Sequence, residues 1–327
     1  MIEVRNLKKT FSTKEDSFPH QKSTKDQSTN NIFMIRPLSF NPNKEAQKDN
    51  HFINKNVVTE KPKAKALLEW SQFTDLLLKE GITIHYYESL DKATPDAIFP
   101  NNWFSSHRNQ DGSKTLCLYP MYLENRRGER KEEIIQYLQE GHSKTVDLSF
   151  YENLSNPLFL EGTGSLILDR VGYKAYAAIS KRTDLELAKY WAETFKYKEI
   201  ITFSTTKESP IYHTNIMLSL GTNFAIACLD AIENTEERKK IRSKLETTRD
   251  IITITKEQMN KFCGNVLEVK NEFDEPMLAL STRAFQSFEE RQLNMLSNHV
   301  KKFIHSPINT IEDLGGGGVR CMIAELF

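Results

Sequence analysis

From Asn31 onward the chain repeats an arrangement rather than a sequence, and that repetition limits the folds open to it. Residues 64–79 place Leu67, Trp70, Phe73, Leu77 and Leu78 near one face at helical spacing. Gly81 ends this helix and residues 82–86 read as a strand. Ala97-Ile98-Phe99 then leads to a polar tip at Pro100-Asn101-Asn102-Trp103. The second unit has the same grammar: a helix over 130–139, a stop at Gly141, a strand over 145–150, and a tip at Glu161-Gly162-Thr163-Gly164-Ser165. In both units the tip stands 20 residues after the helix-ending glycine, at Asn101 and at Glu161.

The third unit runs from a helix over 185–195 through a strand over 199–203 to Ile211-Tyr212-His213-Thr214-Asn215, with a hairpin over 217–229. The fourth reads as a helix over 256–262, a stop at Gly264-Asn265, a strand over 266–270 and a tip at Met277–Ser281. The fifth has a helix over 291–300 and ends in Gly315–Cys321, its ring closed by an opening strand Ile32–Arg36. Helices alternating with strands give an α/β class. Five such units predict a pseudo-symmetric five-bladed α/β propeller. Tips in a radial array converge on the axis, so Asn102, Glu161, His213 and Cys321 are expected to line one pocket. A doubly wound parallel sheet is the competing architecture, but the hairpins after Glu161 and His213 fit it poorly.

The last tip carries the sharpest chemistry. Gly315-Gly316-Gly317-Gly318 cannot stabilise a helix or strand, since glycine loses the most backbone entropy on ordering. Such a run suits a left-handed turn or a close approach, and it delivers Cys321 ahead of a short apolar stretch. The alternative is a flexible turn before an ordinary buried cysteine. With His213 and Glu161 at neighbouring tips, the set is complete for thiol-based covalent catalysis. A thiolate attacks, an imidazole moves protons, and a carboxylate orients the imidazole. Each residue alone also has a structural reading, a packed histidine or a solvated strand-end glutamate. No second His or Cys lies at ligand spacing beside His213, so no metal site is expected.

Composition narrows the remaining classes. Basic and acidic residues number 44 each, which gives no basic surface for nucleic acid or membrane. No apolar run approaches a bilayer span of roughly 20 residues. The N-terminus lacks the apolar core of a secretory signal. Cys117, Cys228, Cys263 and Cys321 are scattered, as expected of a cytoplasmic, reducing setting rather than a disulfide framework. Residues 1–30 read as a polar, flexible extension, with 12–31 almost wholly polar, and 31–327 as one catalytic domain. The oligomeric state is left open, a homo-oligomer included.

Taken in order, PNNWFS, FLEGTGS, IYHTN and GGGGVRCM, with Ile32–Pro37 before them, resemble the guanidino-group-modifying enzymes of the pentein superfamily. Arginine and agmatine deiminases, dimethylarginine hydrolases and amidinotransferases belong there. The resemblance covers about 31–327 and leans to the arginine-deiminase-related branch, which includes hydrolases of citrulline utilisation. It implies a five-bladed propeller, no cofactor, Cys321 as nucleophile, His213 as general acid/base and Glu161 as its partner.

Two departures bear on the substrate. Where arginine-processing branches carry carboxylates that grip a guanidinium, this chain has Asn102 and Asn215. An amide offers donors and an acceptor but no compensating charge. A neutral ureido group suits it better, so the expected reaction is citrulline to ornithine, ammonia and carbon dioxide through a thiocarbamoyl enzyme. Both asparagines also have a plainer reading as turn caps. Arg36 and Arg320 are the candidates for holding the substrate carboxylate. Arg320 alternatively raises the thiolate fraction of Cys321, and either arginine could sit in a structural ion pair. The rival reading is an arginine-type deiminase or amidinotransferase, favoured if another carboxylate, such as Asp96 or Asp230, stands in the pocket. A non-catalytic binding module of the same fold is the third reading.

Overall fold

The computed structural model describes residues 2–5, 26–57, 59–206 and 210–327. Its first strands are β1 (Ile2–Arg5), β2 (Asn31–Arg36) and β3 (Thr83–Glu88), joined by the long helix Pro62–Lys79. Then come β4 (Phe104–Arg108), β5 (Lys114–Leu118) and β6 (Lys144–Asp147); β7 (Ile167–Asp169), β8 (Lys174–Ala178) and β9 (Glu199–Phe203). They are followed by β10 (Leu218–Leu220), β11 (Phe224–Ala227) and β12 (Asp250–Thr253); β13 (Leu267–Lys270), β14 (Pro276–Ser281) and β15 (Lys302–Ser306); and finally β16 (Ala324–Glu325).

These strands form five small sheets: β4-β5-β6, β7-β8-β9, β10-β11-β12, β13-β14-β15 and β16-β2-β3, the last extended at its edge by β1. Every sheet has one grammar. Its first strand pairs antiparallel with its second, and the second pairs parallel with the third. The parallel step needs a crossover, which is where each helix sits. β16, from the chain's end, pairs with β2 near its beginning and closes the ring. This is the pentein propeller, as the repetition predicts.

The middle strands show why the sheets stand as blades. In β2, Ile32 and Met34 enter one core, while Phe33 and Ile35 enter the next. In β5, Leu116 and Leu118 face one side, and Cys117 the other. Ala175 and Ala177 of β8 likewise oppose Tyr176 and Ala178. Side chains alternate along a strand, so a sheet buried on both faces bridges two cores. Each large apolar side chain so enclosed contributes roughly 1.5–3 kcal/mol. Trp103, fully buried, belongs to the core between β2 and β4, where Phe33 and Phe104 meet edge to face at 5.6 Å.

The first, second, third and fifth tips are single helical turns at Pro100–Asn102, Gly162–Ser165, Thr214–Ile216 and Val319–Met322, and adjacent ones touch around the axis. The fourth unit departs from expectation. Gly264-Asn265 is not a helix stop but the fourth tip, lying directly before β13, whereas Met277–Ser281 falls within the middle strand β14. The crossover helix before β12 is Thr235–Glu246, which periodicity does not reveal. Only Ile241 and Leu245 of its twelve residues are buried, and Asn234 caps it through the Glu236 and Glu237 amides.

The segment expected to be a loose extension contributes to the described structure at both ends. Ile2–Arg5 pairs antiparallel with β3. Gln27 and Ser28 are buried, with the Ser28 hydroxyl donating to Glu268 at 2.7 Å. Residues 6–25, and with them most of the polar stretch on which that expectation rests, lie outside the described residues.

Candidate active site

Cys321, His213 and Asn102 line one pocket beside the axis, together with Asp96, Arg126, Arg182 and Tyr212. Gly315, Gly316 and Gly317 form part of its wall. The glycine run is tightly packed rather than loose. Gly316 has φ +66°, and a Cβ there would stand 2.4 Å from the Asn50 amide nitrogen. Its carbonyl accepts the Tyr212 hydroxyl at 2.9 Å, which fixes the turn that hands the chain to Val319–Met322.

Glu161 is fully buried and its two oxygens are separately held. Oε1 accepts the Tyr122 amide at 2.9 Å. Oε2 faces His213 Nε2 at 2.6 Å and Arg182 Nη1 at 3.4 Å. Burial pushes this carboxyl up, but Arg182 and His213 outweigh it and hold it well below the usual range. An ionised Glu161 sets the proton of His213 on Nε2 and leaves Nδ1 as the acceptor. Burial, opposed by Glu161, lowers His213 below its ordinary value, so the ring is neutral at neutral pH. Gly164 makes room for this arrangement: a Cβ there would lie 2.4 Å from Asn102 Nδ2 and 2.9 Å from His213 Nδ1.

The Cys321 sulfur is met by two amides, Asn265 Nδ2 at 3.3 Å and Asn215 Nδ2 at 3.5 Å. Asn265 also donates to the Asn215 carbonyl at 2.9 Å, tying the third and fourth tips together. Burial raises the thiol above its ordinary value, against the opposing pull of Asn265, Arg320 and Asn215. Asn102 is turned by its neighbour: Oδ1 accepts Arg126 Nη1 at 2.8 Å, and Nδ2 has no partner. Arg126 is held in turn by Glu129, at 2.7 Å through Nε.

The candidates for the carboxylate end lie elsewhere. Arg36 pairs with Glu88 and Arg320 with Glu325 at 2.9 Å, and neither lines this pocket. Asp230 is exposed beside Arg238. Asp96 is in the pocket: one oxygen accepts Asn43 Nδ2 at 2.7 Å, and the other is buried without a partner. Burial raises its carboxyl, with Arg126 opposing. Sequence reasoning missed Arg126, Arg182 and Asn265. Asn265 was recoverable from its place before a first strand; nothing local marks the two arginines. Among the described residues there is no group of three or more His, Cys, Asp or Glu placed to hold a metal ion. Nor is any helix among them long and apolar enough to cross a membrane.

Fold and pocket together define a pentein of the guanidino-modifying class, whose hydrolases act on C–N bonds of guanidino compounds. Within that class the chain belongs to the family described as N,N dimethylarginine dimethylhydrolase, eukaryotic, whose model matches residues 36–327. No curated protein sequence matches it. Among solved structures it is similar to the N-terminal domain of ArgZ, an arginine dihydrolase from the ornithine–ammonia cycle in cyanobacteria, with TM-score 0.72 and 16% identity over 90% of this chain and 97% of that domain. A dimethylarginine dimethylaminohydrolase adduct aligns with TM-score 0.62 and 17% identity over 90% of this chain and 99% of the other. Unliganded AgrE aligns with TM-score 0.68 and 17% identity over 91% of this chain, which spans only 39% of AgrE's length.

Proposed function

We propose that the chain is a cysteine-dependent hydrolase of the guanidino group of arginine or a close relative. The observation that carries this reading is the buried, unpartnered oxygen of Asp96 in the pocket. Two cations (Arg126, Arg182) meet four carboxylates there or directly behind (Asp96, Glu129, Glu161, Asp49), so the surroundings favour a cationic ligand. This moves the weight from a ureido substrate to a guanidino one. Arg182 replaces Arg36 and Arg320 as the candidate for the substrate carboxylate, because it lines the pocket with its Nε unpartnered.

In this scheme His213 Nδ1 takes the Cys321 proton as sulfur attacks the guanidinium carbon. The new C–S bond forms as the C=N π pair moves to nitrogen. Collapse expels ammonia or an amine, protonated by His213, and leaves a thiouronium on the enzyme. Water, deprotonated by His213, attacks the same carbon and expels the thiolate, releasing a ureido amino acid. Glu161 keeps the ring in one tautomer, and Asn265 and Asn215 donate to the developing sulfur charge.

The free Nδ2 of Asn102 supports a second reading: a ureido oxygen is also accommodated, so the citrulline formed could be cleaved again to ornithine, ammonia and carbon dioxide. Complexes of AgrE with L-arginine and with ornithine and NAD+ are consistent with amino-acid ligands of this kind. The four unpaired, buried cysteines suit a cytoplasmic setting, and residues 31–327 act as one catalytic unit. The test is mass-spectrometric product analysis with arginine, N-methylated arginines and citrulline, beside Cys321→Ala. Cys321-dependent turnover of arginine supports the guanidino reading. Turnover of citrulline with none of arginine returns the weight to the ureido one.

A further inference from the structure

A second cleft lies between the β4-β5-β6 and β7-β8-β9 blades, at the end of β4 remote from the tips. It encloses about 1140 Å³ and is open to solvent. Its lining carries Arg108, Lys144 and Lys196, and among the described residues none of these has a carboxylate partner. The Arg108 Nε is buried and unbonded. The two acidic side chains in the cleft are already engaged: Asp26 accepts Lys270 at 2.9 Å, and Asp111 accepts the Ser113 hydroxyl at 2.6 Å.

The local ladder adds to the charge rather than relieving it. Arg108 stands directly across from Lys114 in the β4–β5 pair, an arrangement of like charges that destabilises a sheet. Burial and Arg108 together depress the Lys114 ammonium. Like charges gathered around a concavity, with a buried guanidinium nitrogen unsatisfied, lack an anion. A guanidinium fork meets two phosphate oxygens at once, and lysines on flexible stems act as point charges around it.

We propose that this cleft binds a small polyanion of the phosphorylated-metabolite class, held by Arg108, Lys144 and Lys196. The site is separate from Cys321: β4 alone, five residues long, puts on the order of 15 Å between its tip and the cleft.

The test is calorimetric titration of the full chain with pyrophosphate at fixed ionic strength. One saturable site is expected, with a dissociation constant below about 1 mM, weakening as salt rises. Arg108→Gln combined with Lys196→Gln should weaken it by about tenfold or more, while Cys321→Ala binds as the parent does. Lys144→Glu, at an exposed position, is the independent second variant and should weaken binding similarly. Absence of saturable binding, or equal affinity in the parent and a folded variant, would overturn the assignment.

Discussion

His213 Nε2 lies 2.6 Å from Glu161 Oε2, and Arg182 reaches that same oxygen from 3.4 Å. The pair is therefore not a simple carboxylate–imidazole couple. Arg182 helps to keep Glu161 ionised while its own charge discourages a second cation on the ring. The imidazole is held neutral and oriented, with Nδ1 ready to accept a proton. On the other side of the reaction, the Cys321 thiol is also neutral, because burial outweighs its two amide donors.

A resting thiol predicts slow alkylation. Its pKa is raised above the ordinary 9.0, so the thiolate fraction should climb about tenfold per pH unit through that value and beyond. Iodoacetamide labelling of Cys321, followed by peptide mass spectrometry between pH 7 and pH 10 (about the range where the protein should stay folded), reads this directly. A rate that has already levelled off near neutral pH would show a pre-formed thiolate.

Asp96→Asn removes the carboxylate assigned to the guanidinium while keeping a side chain of the same shape. A hydrogen bond to a charged partner is worth about 1.5–3 kcal/mol, so kcat/KM for arginine should fall by about tenfold to a hundredfold. Citrulline turnover, if present, should change much less. Equal losses for both substrates would mean that Asp96 supports the pocket without reading charge.

Much of the architecture is legible in the sequence because a blade is built from local patterns. The alternation in Asn31–Arg36, the amphipathic run 62–79 and the glycine after each early helix all act within a few residues. The phase of the fourth blade is not legible in this way. Its helix, Thr235–Glu246, buries only two side chains, so no apolar stripe announces it. Asn265 then reads as a cap, although it is the closest amide to the Cys321 sulfur. Arg126, Arg182 and Asp96 are invisible for a different reason. Their meaning comes from partners 24, 21 and 53 residues away, which no local pattern carries.

Asn265→Ala tests the fourth tip. The variant keeps the fold of the turn but removes the donor to sulfur and to the Asn215 carbonyl. A drop in kcat of about tenfold or more is expected, with the alkylation profile of Cys321 moved to still higher pH. An unchanged profile would assign Asn265 to packing alone.

Gly164→Ala should be severe for a change of one methyl group. The new Cβ would meet Asn102 Nδ2 at 2.4 Å and His213 at 2.9 Å, both packed and buried. Overpacking of this kind costs about 1–3 kcal/mol, and here it also displaces the general base. Activity near background is expected from protein that still unfolds cooperatively, as followed by thermal denaturation. Near-normal turnover would mean that His213 and Asn102 have slack the geometry does not suggest.

Asn102→Asp distinguishes the ureido and guanidino functions of the pocket. In the parent, Arg126 occupies Oδ1, and Nδ2 is the donor offered to the substrate. The substitution exchanges that donor for a second acceptor, which suits guanidinium N–H groups and opposes a ureido oxygen. The ratio of kcat/KM for arginine to that for citrulline should rise by about tenfold or more. The new carboxyl would also join a crowded neighbourhood. Glu129, beside Arg126, is already pushed up to about 7 by burial, and Asp96 is raised as well. A further acid placed there has a raised pKa before substrate binds, and it must ionise to hold a guanidinium. Arginine binding by the variant should therefore tighten as pH rises through neutrality, while the parent shows no such added dependence. A KM for arginine that stays flat in the variant across this range would remove the charge argument, whatever happens to citrulline.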